Sequence, residues 1–165
     1  MSLRLGDTAP DFEQDSTEGR IRFHEWLGNG WGVLFSHPAD FTPVCTTEFG
    51  AVSTLAAEWE KRGTKVIGLS VDGVEEHKQW KADIENFCGA PAGFPIIADE
   101  NLEVSKAFDM LPADAYLPDG RTPADSATVR SVFIIDPSKK IRLYLTYPAA
   151  TGRNFEEILR VIDGL

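Results

Sequence analysis

An α/β fold with a central mixed β-sheet flanked by helices follows from two features of the sequence. Short, nearly continuous apolar runs alternate with segments whose apolar residues recur every three or four positions. Near the C-terminus two such runs, Arg130-Ser-Val-Phe-Ile-Ile135 and Lys140-Ile-Arg-Leu-Tyr-Leu-Thr146, are joined only by Asp136-Pro-Ser-Lys139, a turn with proline at its second position. The alternation implies parallel strands with right-handed crossovers, and the late hairpin adds an antiparallel edge. The 165 residues are read as one domain spanning 1–165.

Taken in order, Leu3 to Phe12 is punctuated by Pro10 and precedes a turn at Asp15-Ser-Thr-Glu-Gly19. The alternation of Ile21 and Phe23 within Arg20-Ile-Arg-Phe-His24 predicts a short edge strand or hairpin. Gly28-Asn-Gly30 turns the chain into a buried strand, Trp31-Gly-Val-Leu-Phe35. A helix is predicted from about Thr46 to Arg62, with Phe49, Val52, Leu55, Ala56 and Trp59 on its apolar face and Gly63 as its cap. Lys65 to Val71 is apolar enough for a strand covered on both faces.

Asp72 followed by Glu75 resembles a capping box, opening a helix with His77, Trp80, Ile84, Phe87 and Cys88 inward and Gly89 and Pro91 at its end. Phe94 to Ala98 is a third strand and Glu100 to Phe108 a short helix. Residues 109–129, with four Asp and three Pro, predict a surface loop. Asn154, with Glu157 three residues on, starts a last helix through Phe155, Ile158, Leu159 and Ile162. The order β-α-β-α-β-α-β-β-α suits a thioredoxin-like arrangement.

The net charge of -10 disfavours nucleic acid and anionic membrane surfaces, both of which would repel the chain. No basic N-terminal segment leads an apolar run, and no apolar stretch reaches the roughly 18 residues of a membrane span. Two cysteines give no disulfide framework, so a reducing compartment, the cytoplasm, is expected.

Chemistry concentrates between Ser36 and Phe49, at the end of one strand and the start of a helix, where open α/β sheets place their sites. Cys45 stands where exposed amides and the helix dipole favour a thiolate. Cys88 reads instead as a small buried hydrophobe. A dithiol centre is excluded, because Cys45-Thr-Thr-Glu48 lacks the second cysteine. A zinc site lacks ligands at short spacing. A cysteine hydrolase using His37 as base lacks a nameable orienting group. A single-thiol redox reaction remains.

Pro38, Thr42 and Cys45 form the Pro-x-x-x-Thr-x-x-Cys signature of peroxiredoxins, and Ser36-His-Pro-Ala-Asp-Phe-Thr-Pro-Val-Cys-Thr-Thr-Glu48 resembles their 1-Cys class. Arg20 to His24, Phe94 to Ile97 and Tyr147 to Val161 extend the resemblance over essentially the whole chain. The resemblance implies that Cys45 is the peroxidatic thiolate, that Thr42 hydrogen-bonds peroxide and thiolate, and that Pro38 shields the site. It implies that Arg130 stabilises thiolate and peroxide oxygens, with His37 beside the thiol and Glu48 orienting the arginine. From its residues alone, Arg130 would read as a solvated strand-end cation.

Ionisation is not enough for a fast peroxidase. Lowering a thiol pKa from about 8.5 to about 6 raises the thiolate fraction at pH 7 roughly thirtyfold. A Brønsted slope of ~0.45, taken from thiol–disulfide exchange, returns roughly tenfold of that in lost nucleophilicity. The remainder must come from stabilising the transition state.

The resemblance also implies no cofactor or metal, an external thiol reductant such as glutathione or a thioredoxin-type protein, and a homodimer through the edge strand Lys140 to Thr146, with higher oligomers open. Relatives with a lipase-like triad carry serine in Gly-Asp-Ser-Trp-Gly. Here the string is Gly28-Asn-Gly-Trp-Gly32, with His24 kept and Ser138 where the aspartate would be, so that activity is not expected. The C-terminal dimerisation segment of the class is expected to be absent or truncated, and a resolving cysteine there stays open. A redox relay or chaperone module passing oxidation from Cys45 to a partner stands as the alternative.

Overall fold

A computed structural model of the protein describes residues 3–113 and 127–165. Among these residues seven strands, β1 Glu13–Ser16, β2 Gly19–Arg22, β3 Trp31–Ser36, β4 Thr64–Ser70, β5 Ile96–Ala98, β6 Arg130–Ile135 and β7 Ile141–Tyr147, form one sheet in the order β2-β1-β5-β4-β3-β6-β7. Strands β3, β4 and β5 run parallel, whereas β1, β6 and β7 join antiparallel. Among the described residues six helices accompany them: α1 Phe23–Leu27, α2 Pro43–Thr54, α3 Ala56–Lys61, α4 Val74–Cys88, α5 Glu103–Ala107 and α6 Phe155–Asp163.

The period of two along the central strands divides the core. Val33, Phe35, Val132 and Ile134 face one layer with Phe49, Val52, Trp80, Ile84, Phe155 and Ile158 from α2, α4 and α6. Leu34, Ile67, Phe133 and Ile135 face the other with Phe23, Leu27, Val104 and Phe108. This two-sided cover is the reason the strands read as continuous apolar runs.

Several boundaries differ from expectation, each for a local reason. Phe23 and His24 belong to α1, so the N-terminal hairpin ends at Arg22. Helix α2 begins at Pro43, three residues earlier than expected, because proline with its fixed φ is suited to the first helical position. The helix is interrupted at Leu55. There the Ser53 and Thr54 hydroxyls donate to the carbonyls of Phe49 and Ala51, and the Trp59 indole takes that of Val52.

Asp72 does not cap α4; Gly73 occupies that position, and Asp72 Oδ2 accepts from Asp40 N and Ser70 Oγ. Phe87 is 61% exposed rather than on the inner face of α4, and Cys88 is half-buried rather than enclosed. Strand β5 loses Phe94 and Pro95, the proline having no donor for the ladder. Helix α5 starts only at Glu103, where the Asp99 carboxylate accepts from the amides of Val104 and Ser105. Asn154 caps α6 through Glu156 N, and Glu157 pairs with Arg160 instead of closing a capping box. Most of the loop expected over 109–129 lies outside the described residues.

Candidate active site

The topology places the C-terminal end of β3 beside the N-terminal end of β6, because the two strands are antiparallel neighbours. Ser36 Oγ donates to Val129 O at 2.5 Å and accepts from Ser131 N at 3.0 Å, joining the strand ends. That pairing brings Arg130 to the start of α2, 85 positions from Cys45.

Cys45 is the third residue of α2 and fully buried, at 0% exposure. Thr42 is the N-cap, yet its hydroxyl donates to Ala39 O at 3.0 Å and caps no amide. The first-turn amides are therefore left for other acceptors, the arrangement by which helix starts bind anionic oxygen. Glu48 lies one turn beyond Cys45, so its carboxylate and the thiol share a face of α2.

Arg130 spans that face. Its Nη1 lies 3.3 Å from Cys45 Sγ and 2.5 Å from Glu48 Oε1, while Nε donates to Ala149 O at 2.7 Å. At 2% exposure it is no solvated strand-end cation. Arg153 holds the other side of Glu48, donating to Oε2 from Nε at 2.8 Å and from its backbone N at 2.6 Å. Its Nη2 reaches Oε1 at 3.0 Å, Nη1 reaches Ser131 O at 2.7 Å, and the guanidinium packs against Phe35 and Phe155.

Burial alone would push the Glu48 carboxyl up. The hydrogen bonds and charge of Arg153, joined by Arg130, outweigh it and hold the carboxyl below the ordinary carboxylate range. Two guanidiniums against one carboxylate leave an excess of one positive charge facing the sulfur. A cleft of about 390 Å³ opens beside the cluster, lined by Pro43, Val44, Thr47, Glu48, Gly152 and Arg153 among others.

His37 is fully buried between Phe49 and Trp80, with ring centroids at 4.7 and 4.9 Å. Its Nε2 pairs with Asp40 Oδ1 at 2.6 Å, and Nδ1 has no partner among the described residues. Asp40 Oδ2 pairs with His77 Nδ1 at 2.5 Å. His37, Asp40 and His77 place three ligand-type atoms within 4.8 Å of one another. Both carboxylate oxygens already face imidazole nitrogens at hydrogen-bond distance, which leaves no space for an ion at metal–ligand distances between them. Pro38 is half-buried in the same loop.

The structure thus brings Cys45, Arg130 and Glu48 into contact, sets Thr42 at the helix cap, and turns His37 towards Asp40 with no hydrogen bond to the thiol. Arg153, Asp40 and His77 were missed as site residues. For Arg153 the signal was its place in Tyr147 to Val161, a stretch already singled out. For Asp40 and His77 no spacing pointed to a meeting 37 positions apart.

A buried thiol at a helix start, facing a guanidinium on a thioredoxin-like sheet, defines a cysteine-dependent redox enzyme. The AhpC/TSA family matches residues 5–144. Peroxiredoxin-6 of Gallus gallus is 52% identical over 99% of this chain and 73% of its own length. The mitochondrial peroxiredoxin of Saccharomyces cerevisiae is 52% identical over 99% of this chain and 62% of its own. A crystal structure of the Peroxiredoxin 6 of Arenicola marina superposes with a TM-score of 0.90 at 51% identity, covering 98% of this chain and 73% of that one. A structure of the yeast mitochondrial 1-Cys peroxiredoxin, described with a thiol resolving mechanism via glutathione/thioredoxin systems, gives 0.85 at 50%, covering 98% and 75%. The chain belongs to the AhpC/TSA family and, within it, to the 1-Cys peroxiredoxins. It is a thiol peroxidase with an antioxidant function.

Proposed function

We propose that Cys45 is the peroxidatic residue of this enzyme and that Arg130 and Thr42 stabilise its transition state. The contact of Arg130 with both Cys45 Sγ and Glu48 carries this reading. The Cys45 thiolate attacks one peroxide oxygen of hydrogen peroxide or an organic hydroperoxide; an S–O bond forms, the O–O bond breaks, and the leaving alkoxide or hydroxide takes a proton. Sulfur loses two electrons and the peroxide gains them, leaving a sulfenic acid. Arg130 faces the sulfur with positive charge, the uncapped α2 amides donate to the oxygens, and the Thr42 hydroxyl, its hydrogen held by Ala39 O, accepts from the peroxide O–H. Pro38 shapes the loop, His37 packs behind it, and Glu48 with Arg153 fixes Arg130.

An external thiol then condenses with the sulfenic acid, releasing water, and a second thiol frees Cys45 from the mixed disulfide. The yeast relative's glutathione/thioredoxin systems support a reductant of this class. No cofactor takes part. We assign the described chain to a single domain working in a reducing compartment, the cytoplasm, although a relative is mitochondrial. No helix among the described residues is long and apolar enough to cross a membrane. A homodimer would extend the sheet across β7, an edge strand with half-exposed Leu143 and Leu145.

The test is to weigh the intact protein after one equivalent of peroxide. One added oxygen mapped to Cys45 is expected. Loss of two hydrogens would mean a Cys45–Cys88 disulfide and would overturn the single-thiol cycle.

A further inference from the structure

We propose that His77, on α4, is a positioning residue for the peroxidatic loop, a doubly protonated imidazolium that holds the Asp40 carboxylate and so the chain leading into Cys45. The proposal rests on the reading of Cys45 as the peroxidatic residue.

The hydrogen-bond geometry assigns the protons. His77 Nε2 lies 2.9 Å from Ile97 O, and a carbonyl can only accept, so Nε2 carries hydrogen. His77 Nδ1 lies 2.5 Å from Asp40 Oδ2. Burial alone would push the Asp40 carboxyl up, but the hydrogen bonds from His37 and His77 outweigh it and bring it to about 2. Asp40 is then an anion at neutral pH, and Nδ1 must donate as well.

His37 differs. Its Nε2 faces Asp40 Oδ1 and donates, Nδ1 has no partner among the described residues, and burial pushes the ring down. His37 is neutral, and the Asp40–His77 pair closes its own charge.

The titratable groups facing the pair, among the described residues, are His37 from the β3–α2 loop and Asp72 from the β4–α4 turn. Strand β5 presents only the carbonyl of Ile97. Asp40 is tied through its backbone N to Asp72 Oδ2 at 2.9 Å and through its carboxylate to both histidines. Thr42 follows two positions later and Cys45 five. A shift at Asp40 is thus passed directly to the residues that meet peroxide.

The first measurement is nitrogen-15 NMR of the three histidine side chains in the reduced, intact protein at neutral pH. Both nitrogens of His77 are expected to carry hydrogen, and only Nε2 of His37. A bare Nδ1 on His77 overturns the proposal whatever Cys45 does, and decides the matter alone if the variants below do not fold.

The second uses His77→Asn, which keeps an N–H towards Asp40 and removes the charge. The second-order rate constant with hydrogen peroxide is expected to fall on the order of 10- to 100-fold, as misplacement of a reacting group does. The loss should deepen as pH falls, because Asp40 without its cation is more readily protonated, its burial pushing the carboxyl up. Adding Asp40→Asn should abolish that acid limb and recover part of the rate. A loss equal at every pH, or no recovery in the double variant, overturns the proposal and leaves His77 a merely structural role. Peroxide oxygen found elsewhere than on Cys45 would instead refute the assignment of Cys45 and leave the NMR result standing.

Discussion

Two carboxylates are buried at the start of α2, and each is held between two nitrogen bases. Glu48 lies between Arg130 and Arg153, and Asp40 between His37 and His77. Both are ionised for the same reason: hydrogen bonds to cationic or donating nitrogen overcome the cost of burial. The difference is in the bases. Arginine stays charged at any working pH, so the Glu48 cluster is a permanent electrostatic frame around the thiol. Imidazole is neutral or cationic according to the partners of its two nitrogens, so the charge of the Asp40 cluster is set by its hydrogen bonds. One cluster touches sulfur, and the other shapes the backbone that carries it.

The sharpest way to break the comparison is at the residue that touches sulfur. Arg130→Ala should lower the rate constant with peroxide by about 10²- to 10³-fold, the scale of losing one preorganised donor, and Thr42→Val by a smaller factor. Both losses should persist at a pH where Cys45 is fully ionised. Stopped-flow rates at high pH that match the unmodified enzyme would show that these residues only ionise the thiol. Next in size, Glu48→Gln leaves two buried guanidiniums without a counter-charge and should cost about 3 kcal/mol in urea unfolding. An unchanged midpoint would mean that water or another group already neutralises them.

The smallest effect separates the clusters by pH. The Asp40 carboxyl is depressed from 3.8 to about 2. A depressed folded-state value stabilises the fold above the unfolded value and is lost as pH falls through the folded one. The contribution, about 2 kcal/mol, should therefore be complete above roughly pH 4 and disappear towards pH 2. Urea unfolding of Asp40→Asn should show a correspondingly shallower loss over that window, and parallel curves would refute the assignment.

The sequence carried the sheet well, because buried parallel strands announce themselves as apolar runs and β6–β7 as a hairpin about Pro137. It carried Pro38, Thr42 and Cys45 because they are neighbours in one loop. Arg130 was legible only through resemblance. What buries it is the antiparallel pairing of β3 with β6, a long-range register that local periodicity does not encode. Asp40 and His77 were hidden more deeply. Asp40 read as a loop residue, and His77 as part of the apolar face of α4. Only the crossing of the β3–α2 loop with α4 makes them partners. Element ends failed where a side chain overrode the pattern, as Asp99 does at α5 and Trp59 at the α2–α3 break.

The full enclosure of Cys45 sets unequal demands on the two halves of the cycle. A peroxide group is small enough to approach a sulfur at the floor of a loop, whereas a thiol carried on a peptide or protein is not. Thr42 leaves the first turn of α2 uncapped, so that turn is the part of the wall with the least to lose by fraying. On the proposed cycle, regeneration of the thiol is expected to be a gated step. Its rate should follow how often this turn opens, and a mutation that tightens the helix start is expected to slow reduction while leaving oxidation fast.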